Sequence, residues 1–266
     1  MINDVLLNSI QAVAAMLDPD ETPDAAAYLN SLASDDGWMD DDPYEIANQL
    51  LDCDKPNPLP ATLRDLIEEL LNAAFEDGNA DAMNDIGAQY YDGSRGFEQD
   101  YAKAVDCYKR AAANGSRQAQ ENLGYCYYYG RNMPVDYEKA FHFFALGAFD
   151  GHLISLYKIG DMYLNGYYVE KNPVEAFHIY THCLDTMTDE AAPFAAGPVF
   201  LRVGDALLKG LGTKADAKGA LVCYQKAEVF LFDMVAGGNL MYKKSLEAAI
   251  IGQERAREAL AAALSE

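Results

Sequence analysis

The chain has 266 residues, half of them hydrophobic, and a formal net charge of −22. That much apolar side chain is enough for a sizeable core, while the acidic field repels nucleic-acid phosphates and anionic lipid, so neither is expected as a partner. The five cysteines, Cys53, Cys107, Cys126, Cys183 and Cys223, contain no CxxC pair, and free buried thiols are the expectation.

Residues 1–60 read as an acidic helical N-terminal segment. Residues 1–79 hold eighteen acidic and two basic side chains, a balance of −16, against −6 for the rest of the chain. The opening "MINDVLLNSIQAVAAMLD" spaces its apolar residues amphipathically. It has neither a basic leader nor a small-residue cleavage site, so no secretory signal is expected. With no apolar run long enough to span a bilayer, a cytoplasmic location follows. The run "SDDGWMDDDPYE" (Ser34 to Glu45) reads as a loop whose spacing does not fit an EF-hand, and Trp38 within it is expected to anchor the N-terminal helices. Residues 61–79 read as a degenerate helix. "LLNAAFEDGNADA" (Leu70 to Ala82) looks like the end of a second helix, which makes 43–78 a degenerate helix pair.

From residue 80 the chain repeats itself. "AMNDIGAQYYDG" (Ala82 to Gly93) aligns with "AQENLGYCYYYG" (Ala119 to Gly130), "SLYKIGDMYLNG" (Ser155 to Gly166) and "VFLRVGDALLKG" (Val199 to Gly210). Each is followed by a second block. "DYAKAVDCYKRAAANG" (Asp100 to Gly115) and "DYEKAFHFFALGAFDG" (Asp136 to Gly151) lead to "NPVEAFHIYTHCL" (Asn172 to Leu184) and "DAKGALVCYQKAE" (Asp216 to Glu228). The first block predicts a helix closed by a left-handed glycine. The second predicts a helix opened by an Asp or Asn cap, with Pro173 at the first helical position of the third copy. Ala104 with Tyr108, Ala140 with Phe144, Ala176 with Tyr180 and Ala220 with Tyr224 fall on one helical face each. Gly87, Gly124, Gly160 and Gly204 interrupt first helices at a cost in propensity, which implies close approach of the paired helix. The longer spacing before the last copy holds an insertion around "DTMTDEAAPFAAGP", and residues 237–266 read as a helical cap. Helix pairs of this size bury their apolar faces only by stacking.

The pattern A-x3-[LIV]-G-x2-Y-x2-G followed by D-x3-A-x3-Y-x2-A-A-x2-G resembles the Sel-one-like repeat family, relatives of the tetratricopeptide repeats. The copies are 80–116, 117–152, 153–196 and 197–236; the third lacks its final glycine and the fourth has leucines at the tyrosine positions. The resemblance implies an all-α fold, a right-handed α-solenoid with an N-terminal helical extension and a C-terminal capping helix. It further implies a concave groove lined by first helices, at positions three before and one, four and five after the mid-helix glycine. In this chain those positions give Asn84, Tyr91, Glu121, Tyr125, Tyr128, Tyr129, Tyr157, Asp161, Asn165 and Lys209 as candidate partner contacts. Tyr90, Tyr127, Tyr163 and Leu207, three after each glycine, are scaffold. Tyrosines at groove positions suit peptide recognition, because each offers rigid apolar area with a polar tip.

Two chemical signals fail against the same alignment. "SLYK" fits S-x-x-K, but Ser155 sits at a small packing position and no S-D-N or K-T-G companion exists. Glu175, His178 and His182 share a helical face without the H-E-x-x-H arrangement, so an exposed face is expected, with no metal or cofactor and no enzymatic activity. The expected function is a protein-interaction scaffold binding a protein or peptide in its groove. A structural subunit that self-associates through its tyrosines is the alternative. The acidic residues 1–60 are a candidate lid over the groove.

Overall fold

The computed structural model describes residues 4–34, 42–54, 58–93, 95–189 and 191–264; Trp38, assigned above as an anchor, lies outside them. All regular elements among the described residues are helical. The chain forms two compact units, Met1–Val135 and Asp136–Glu266.

In the first unit, α1 (Asp4–Met16) and α2 (Pro23–Ser34) pack together, and α1 also rests on α4 (Ala61–Glu76). Helix α3 (Pro43–Asp52) pairs with α4. Leu29, Leu50, Leu63, Ile67 and Leu70 are fully buried. The Asp54 carboxylate accepts the backbone N–H groups of Asp24 and Ala25, both at 3.1 Å, which caps α2. Arg95 donates to the carbonyls of Cys53 and Asp54, so the end of α3 is held to the loop after α5. Helix α4 ends with Gly78 at φ 102° and an Asn79 N–H bond to the Ala74 carbonyl. The ends of α6 (Tyr101–Ala113) and α8 (Tyr137–Phe149) have the same form, with Ser116 bonding to Ala111 and His152 to Gly147. Helix α4 therefore terminates as the repeats' second helices do. Helices α5 (Ala80–Asp92) and α6 form the first repeat pair, and α7 (Arg117–Tyr129) packs on α6.

In the second unit, α8 is followed by α9 (Leu153–Asn165), α10 (Pro173–Asp185), α11 (Ala192–Lys209), α12 (Ala217–Ala236), a 3-10 turn (Leu240–Tyr242) and α13 (Lys243–Ala263). Each helix packs on the next, and α13 covers both α11 and α12. The second half of the insertion before the fourth copy is helical. It lengthens α11 to 18 residues, and α12 grows to 20 to match. The two extensions meet at Gly197, where an added Cβ would lie 2.8 Å from Leu231 Cγ.

The predicted punctuation is present. Gly93, Gly130, Gly166 and Gly210 close their helices with φ between 63° and 75°. Asp100, Asp136, Asn172 and Asp216 accept backbone N–H bonds at the start of the second helices. The amides of three of them close the intervening turn, to the carbonyls of Tyr90 (2.8 Å from Asp100), Tyr163 (2.8 Å from Asn172) and Leu207 (2.9 Å from Asp216).

The mid-helix glycines seat the buried rings of the second helices. A Cβ at Gly87 would stand 2.7 Å from Tyr108 Cε1, at Gly160 2.6 Å from Tyr180 Cε1, and at Gly204 3.0 Å from Tyr224. Each ring is at most 2% exposed, and burying one such side chain stabilises by about 1.5–3 kcal/mol. A second glycine seats Tyr224, since a Cβ at Gly252 of α13 would stand 2.5 Å from its Cε1. The five thiols are free, four buried and Cys223 half-buried. Burial pushes Cys107 up to about 11 and Cys126 and Cys183 up to about 12, away from the reactive thiolate range. No helix among the described residues is long and apolar enough to cross a membrane.

Candidate partner-binding surface

Six of the ten predicted contact residues belong to the first unit. Asn84 and Glu121 are buried, Tyr91, Tyr125 and Tyr128 are half-buried, and Tyr129 is 46% exposed. The tyrosines gather at the C-terminal ends of α5 and α7. Tyr129 stacks on Tyr125 with centroids 6.2 Å apart and meets Tyr128 edge-on at 4.8 Å. Tyr91 meets Tyr101 edge-on at 5.2 Å. Arg131 joins the two groups: its guanidinium lies 4.6 Å from the Tyr101 centroid and 5.7 Å from that of Tyr129, and it bonds the Tyr91 hydroxyl. Burial pushes the Tyr91 phenol up to about 12 despite that bond. Tyr101 and Arg131 escaped the sequence reading, which considered first helices only. One opens the second helix and the other lies in the turn after α7.

At the other end of the same helices is a polar ladder. The Asn122 amide donates to Asn84 Oδ1 at 2.9 Å, linking α7 to α5. The Asn84 amide donates to Asp85 Oδ1 at 3.2 Å, and the Tyr44 hydroxyl of α3 donates to Asp85 Oδ2 at 2.8 Å. Ser116 Oγ donates to Asp81 Oδ1 at 2.5 Å. Beside the ladder opens a cavity of about 450 Å³, lined among others by Tyr44, Asp81, Asn84, Asp85, Ser116 and Arg117. Burial raises Asp85 above its ordinary value, against the lowering effect of the bonds from Tyr44 and Asn84, and Asp81 raises it further.

The remaining four predicted residues belong to the second unit. Tyr157 and Asp161 are buried, whereas Asn165 and Lys209 are exposed. Asn165 donates its amide to the Asp161 carbonyl at 2.7 Å, and Lys209 pairs with Asp205 at 3.4 Å. Asp161 is the hub of a charged cluster. Arg202 of α11 reaches it through Nε at 2.5 Å and Nη2 at 2.6 Å, the Tyr180 hydroxyl donates at 2.8 Å, and the Lys158 ammonium lies 3.7 Å away. The Arg202 guanidinium also stands 4.3 Å from the Tyr157 ring centroid. Burial opposes ionisation of Asp161, but Arg202, Lys158 and Tyr180 together hold its carboxyl below the ordinary range. The fourth copy repeats one bond, from the Tyr224 hydroxyl to Asp205 Oδ1 at 2.6 Å.

A single register position explains much of this. Two residues before the mid-helix glycine stand Asp85, Asn122, Lys158 and Arg202, polar in every copy. Asp85 bonds back to α3, Asn122 to α5 and Arg202 to α9, in each case an earlier helix of the same unit. Polarity at that position in all four copies was a readable signal in the sequence. Ser155 is fully buried with its Oγ unbonded, and Lys158 is turned to Asp161. Glu175, His178 and His182 are exposed on α10. No group of three or more His, Cys, Asp and Glu arranged to hold a metal occurs among the described residues.

Antiparallel helix pairs with recurring caps and glycine-seated rings define an α-helical tandem-repeat protein. The Sel1 repeat model matches residues 80–116, 117–152, 153–181 and 201–228. The chain belongs to the Sel1-repeat family. Among curated proteins it is 35% identical over 105 residues to component HRD3B of an ERAD-associated E3 ubiquitin-protein ligase from Arabidopsis thaliana, covering 39% of this chain and 16% of that protein. It is 32% identical over 130 residues to protein sel-1 homolog 2 of Mus musculus, covering 49% and 19% respectively. The chain thus spans less than a fifth of the length of these relatives. Among solved structures, a Sel1 repeat protein from Oxalobacter formigenes superposes with a TM-score of 0.60 at 20% identity, over 93% of this chain and 97% of that one. A protective antigen of uropathogenic Escherichia coli strains that displays an SLR fold gives 0.56 at 16% identity, over 97% and 57%. At these identities the likeness establishes the solenoid fold alone.

Proposed function

We propose that the chain is a non-enzymatic protein-interaction module that takes a segment of a partner protein on the face formed by α5 and α7. One observation carries the reading: four tyrosines at predicted contact positions, Tyr91, Tyr125, Tyr128 and Tyr129, gather with Tyr101 around Arg131. The structural aromatic position of the first repeat is filled separately, by Tyr108. Clustered tyrosines and an arginine are the side chains that dominate protein interfaces. The HRD3B relative is a component of a ligase assembly, which is consistent with such a role. Asn165 and Lys209 are accessible additional contacts, whereas Tyr157, Asp161 and Asn84 serve mainly to hold neighbouring helices. The acidic N-terminal segment is proposed to cover part of the face, a role supported by the bond from Tyr44 to Asp85. If deletion of residues 1–60 left partner affinity and protease sensitivity unchanged, that role would be dropped.

The direct test compares the wild type with a Tyr125→Ala, Tyr128→Ala, Tyr129→Ala variant in a pull-down from native lysate, with folding checked by circular dichroism. A protein lost only from the variant supports the face as the binding site. Equal recovery removes it. A mass that rises with concentration for the wild type and not for the variant would favour self-association through the same tyrosines.

A further inference from the structure

Charge supplies what the tyrosine cluster alone leaves open, the chemistry of the partner. Residues 1–135 carry 25 acidic and 8 basic side chains, so the unit that bears the tyrosines has a balance of −17. Within that field the cavity beside α5 brings two carboxylates, Asp81 and Asp85, to one wall. Neither carboxylate is joined to a cation by any contact described above. Asp85 is bonded by the neutral Tyr44 and Asn84, and Asp81 by the neutral Ser116. Among the described lining residues one is a cation, Arg117, exposed at the start of α7. An anion entering here would face both carboxylates; an ammonium or guanidinium group would be neutralised by them.

The cavity and the tyrosine cluster both lie along α5: Asn84 of the cavity wall shares a face with Tyr91, while Asp81 and Asp85 stand about a quarter to a third of a turn round from it. Asn84 and Tyr91 are seven residues apart, two turns of α5, or about 10 Å at 1.5 Å per residue. An extended chain covers that distance in about three residues. The cluster already shows that its rings accept a cation, since Arg131 sits over Tyr101.

We infer that the occupant of the α5–α7 face is an extended segment of a partner protein that places a Lys or Arg side chain in the cavity against Asp81 and Asp85. About three residues along, an apolar or aromatic side chain of the same segment lies on the tyrosine cluster. This rests on the interaction reading above and adds to it the charge and spacing of the recognised segment.

The experiment uses the full chain and a library of random linear dodecapeptides displayed on phage. Enriched sequences are synthesised and their affinities measured by isothermal titration. The inference expects a basic residue about three positions from an apolar or aromatic one in the enriched set. Replacing that basic residue with norleucine should weaken binding about tenfold or more, and so should Asp81→Asn, which keeps an oxygen for Ser116 and changes an exposed residue. Raising the salt concentration should weaken the wild-type complex more steeply than the Asp81→Asn complex, which keeps only the Asp85 carboxylate. Peptides that bind and lose affinity on Tyr129→Ala but carry no basic residue would overturn the inference while leaving the interaction reading intact. So would acidic consensus peptides, or affinities indifferent to both Asp81→Asn and Asp85→Asn. Failure of the folded chain to enrich any peptide would remove both readings.

Discussion

Replacing Asp161 with Asn tests whether the charged cluster between α9 and α11 acts as a structural clasp. The substitution keeps an oxygen for the Tyr180 hydroxyl but takes the counter-charge from Arg202, which approaches Asp161 through two nitrogens at 2.5 and 2.6 Å. The side chains are 12% and 22% exposed, so water compensates little. Removing one partner of a buried pair of this kind costs about 3–5 kcal/mol, chiefly because the other charge is left buried. With urea slopes of about 1–3 kcal/mol per molar for small proteins, the unfolding midpoint should fall by about 1–5 M. Should the two units melt separately, the step belonging to residues 136–266 alone should move. The decisive comparison is a cycle of Asp161→Asn, Arg202→Met and the double variant, followed by far-ultraviolet circular dichroism. The double variant should lose less than the sum of the single changes, by about 2 kcal/mol or more. Additivity within about 0.5 kcal/mol would refute the clasp. The pH dependence supplies a second readout. Because the folded carboxyl is held below its ordinary value of 3.8, its contribution is complete above that value. The contribution is lost as the pH falls further through the folded value. Asp161→Asn should therefore abolish that part of the acid unfolding.

Four further outcomes are expected. Gly160→Ala gains about 1 kcal/mol of helix propensity but drives a Cβ to 2.6 Å from the buried Tyr180 ring. Overpacking of about 1–3 kcal/mol should leave the variant less stable than the wild type in urea titration. Asp100→Ala removes the acceptor of the Ala102 and Lys103 amides and should cost about 1 kcal/mol in the same assay. Tyr129→Ala, at 46% exposure, should change stability by less than about 1 kcal/mol while reducing partner capture. Asp85 behaves oppositely to Asp161. Its raised carboxyl favours the folded state at low pH, and that contribution is lost as the pH rises through the folded value. Asp85→Asn should flatten the stability profile between acid and neutral pH, as read by thermal melts at several pH values.

The elements legible in the sequence are those fixed by local chemistry. Gly93 or Asp100 reports its role by residue type, since only a few side chains cap a helix or adopt positive φ without strain. The buried rings were legible because Gly87 and Tyr108, and their counterparts, recur together. The pairing of Asp161 with Arg202 was not legible in that way. The partners are 41 residues apart, and no other copy sets the same two residue types at those positions, so the alignment had nothing to reinforce. Arg131 was missed for another reason. It lies in a turn with no helical period to give it a face, and only the folded turn brings it over Tyr101. Asn84 and Asp161 are expected as partner contacts because the resemblance places the residues three before and one after the mid-helix glycine in the groove. In the folded chain neighbouring first helices already hold them.

The back-reaching polar position makes the repeats non-interchangeable. Three of the four side chains there are matched to the residue that a particular earlier helix presents: Asp85 to the hydroxyl of Tyr44, Asn122 to the amide of Asn84, Arg202 to the carboxylate of Asp161. Excise the third copy and Arg202 would follow a first helix that offers Tyr125 where Asp161 had been. A buried cation would then lack its counter-ion. The stacking order is thus written into the chain as a set of addresses, each readable only by its proper neighbour. Shuffled or shortened arrays of these same modules should misassemble even though every module retains its own caps and buried ring.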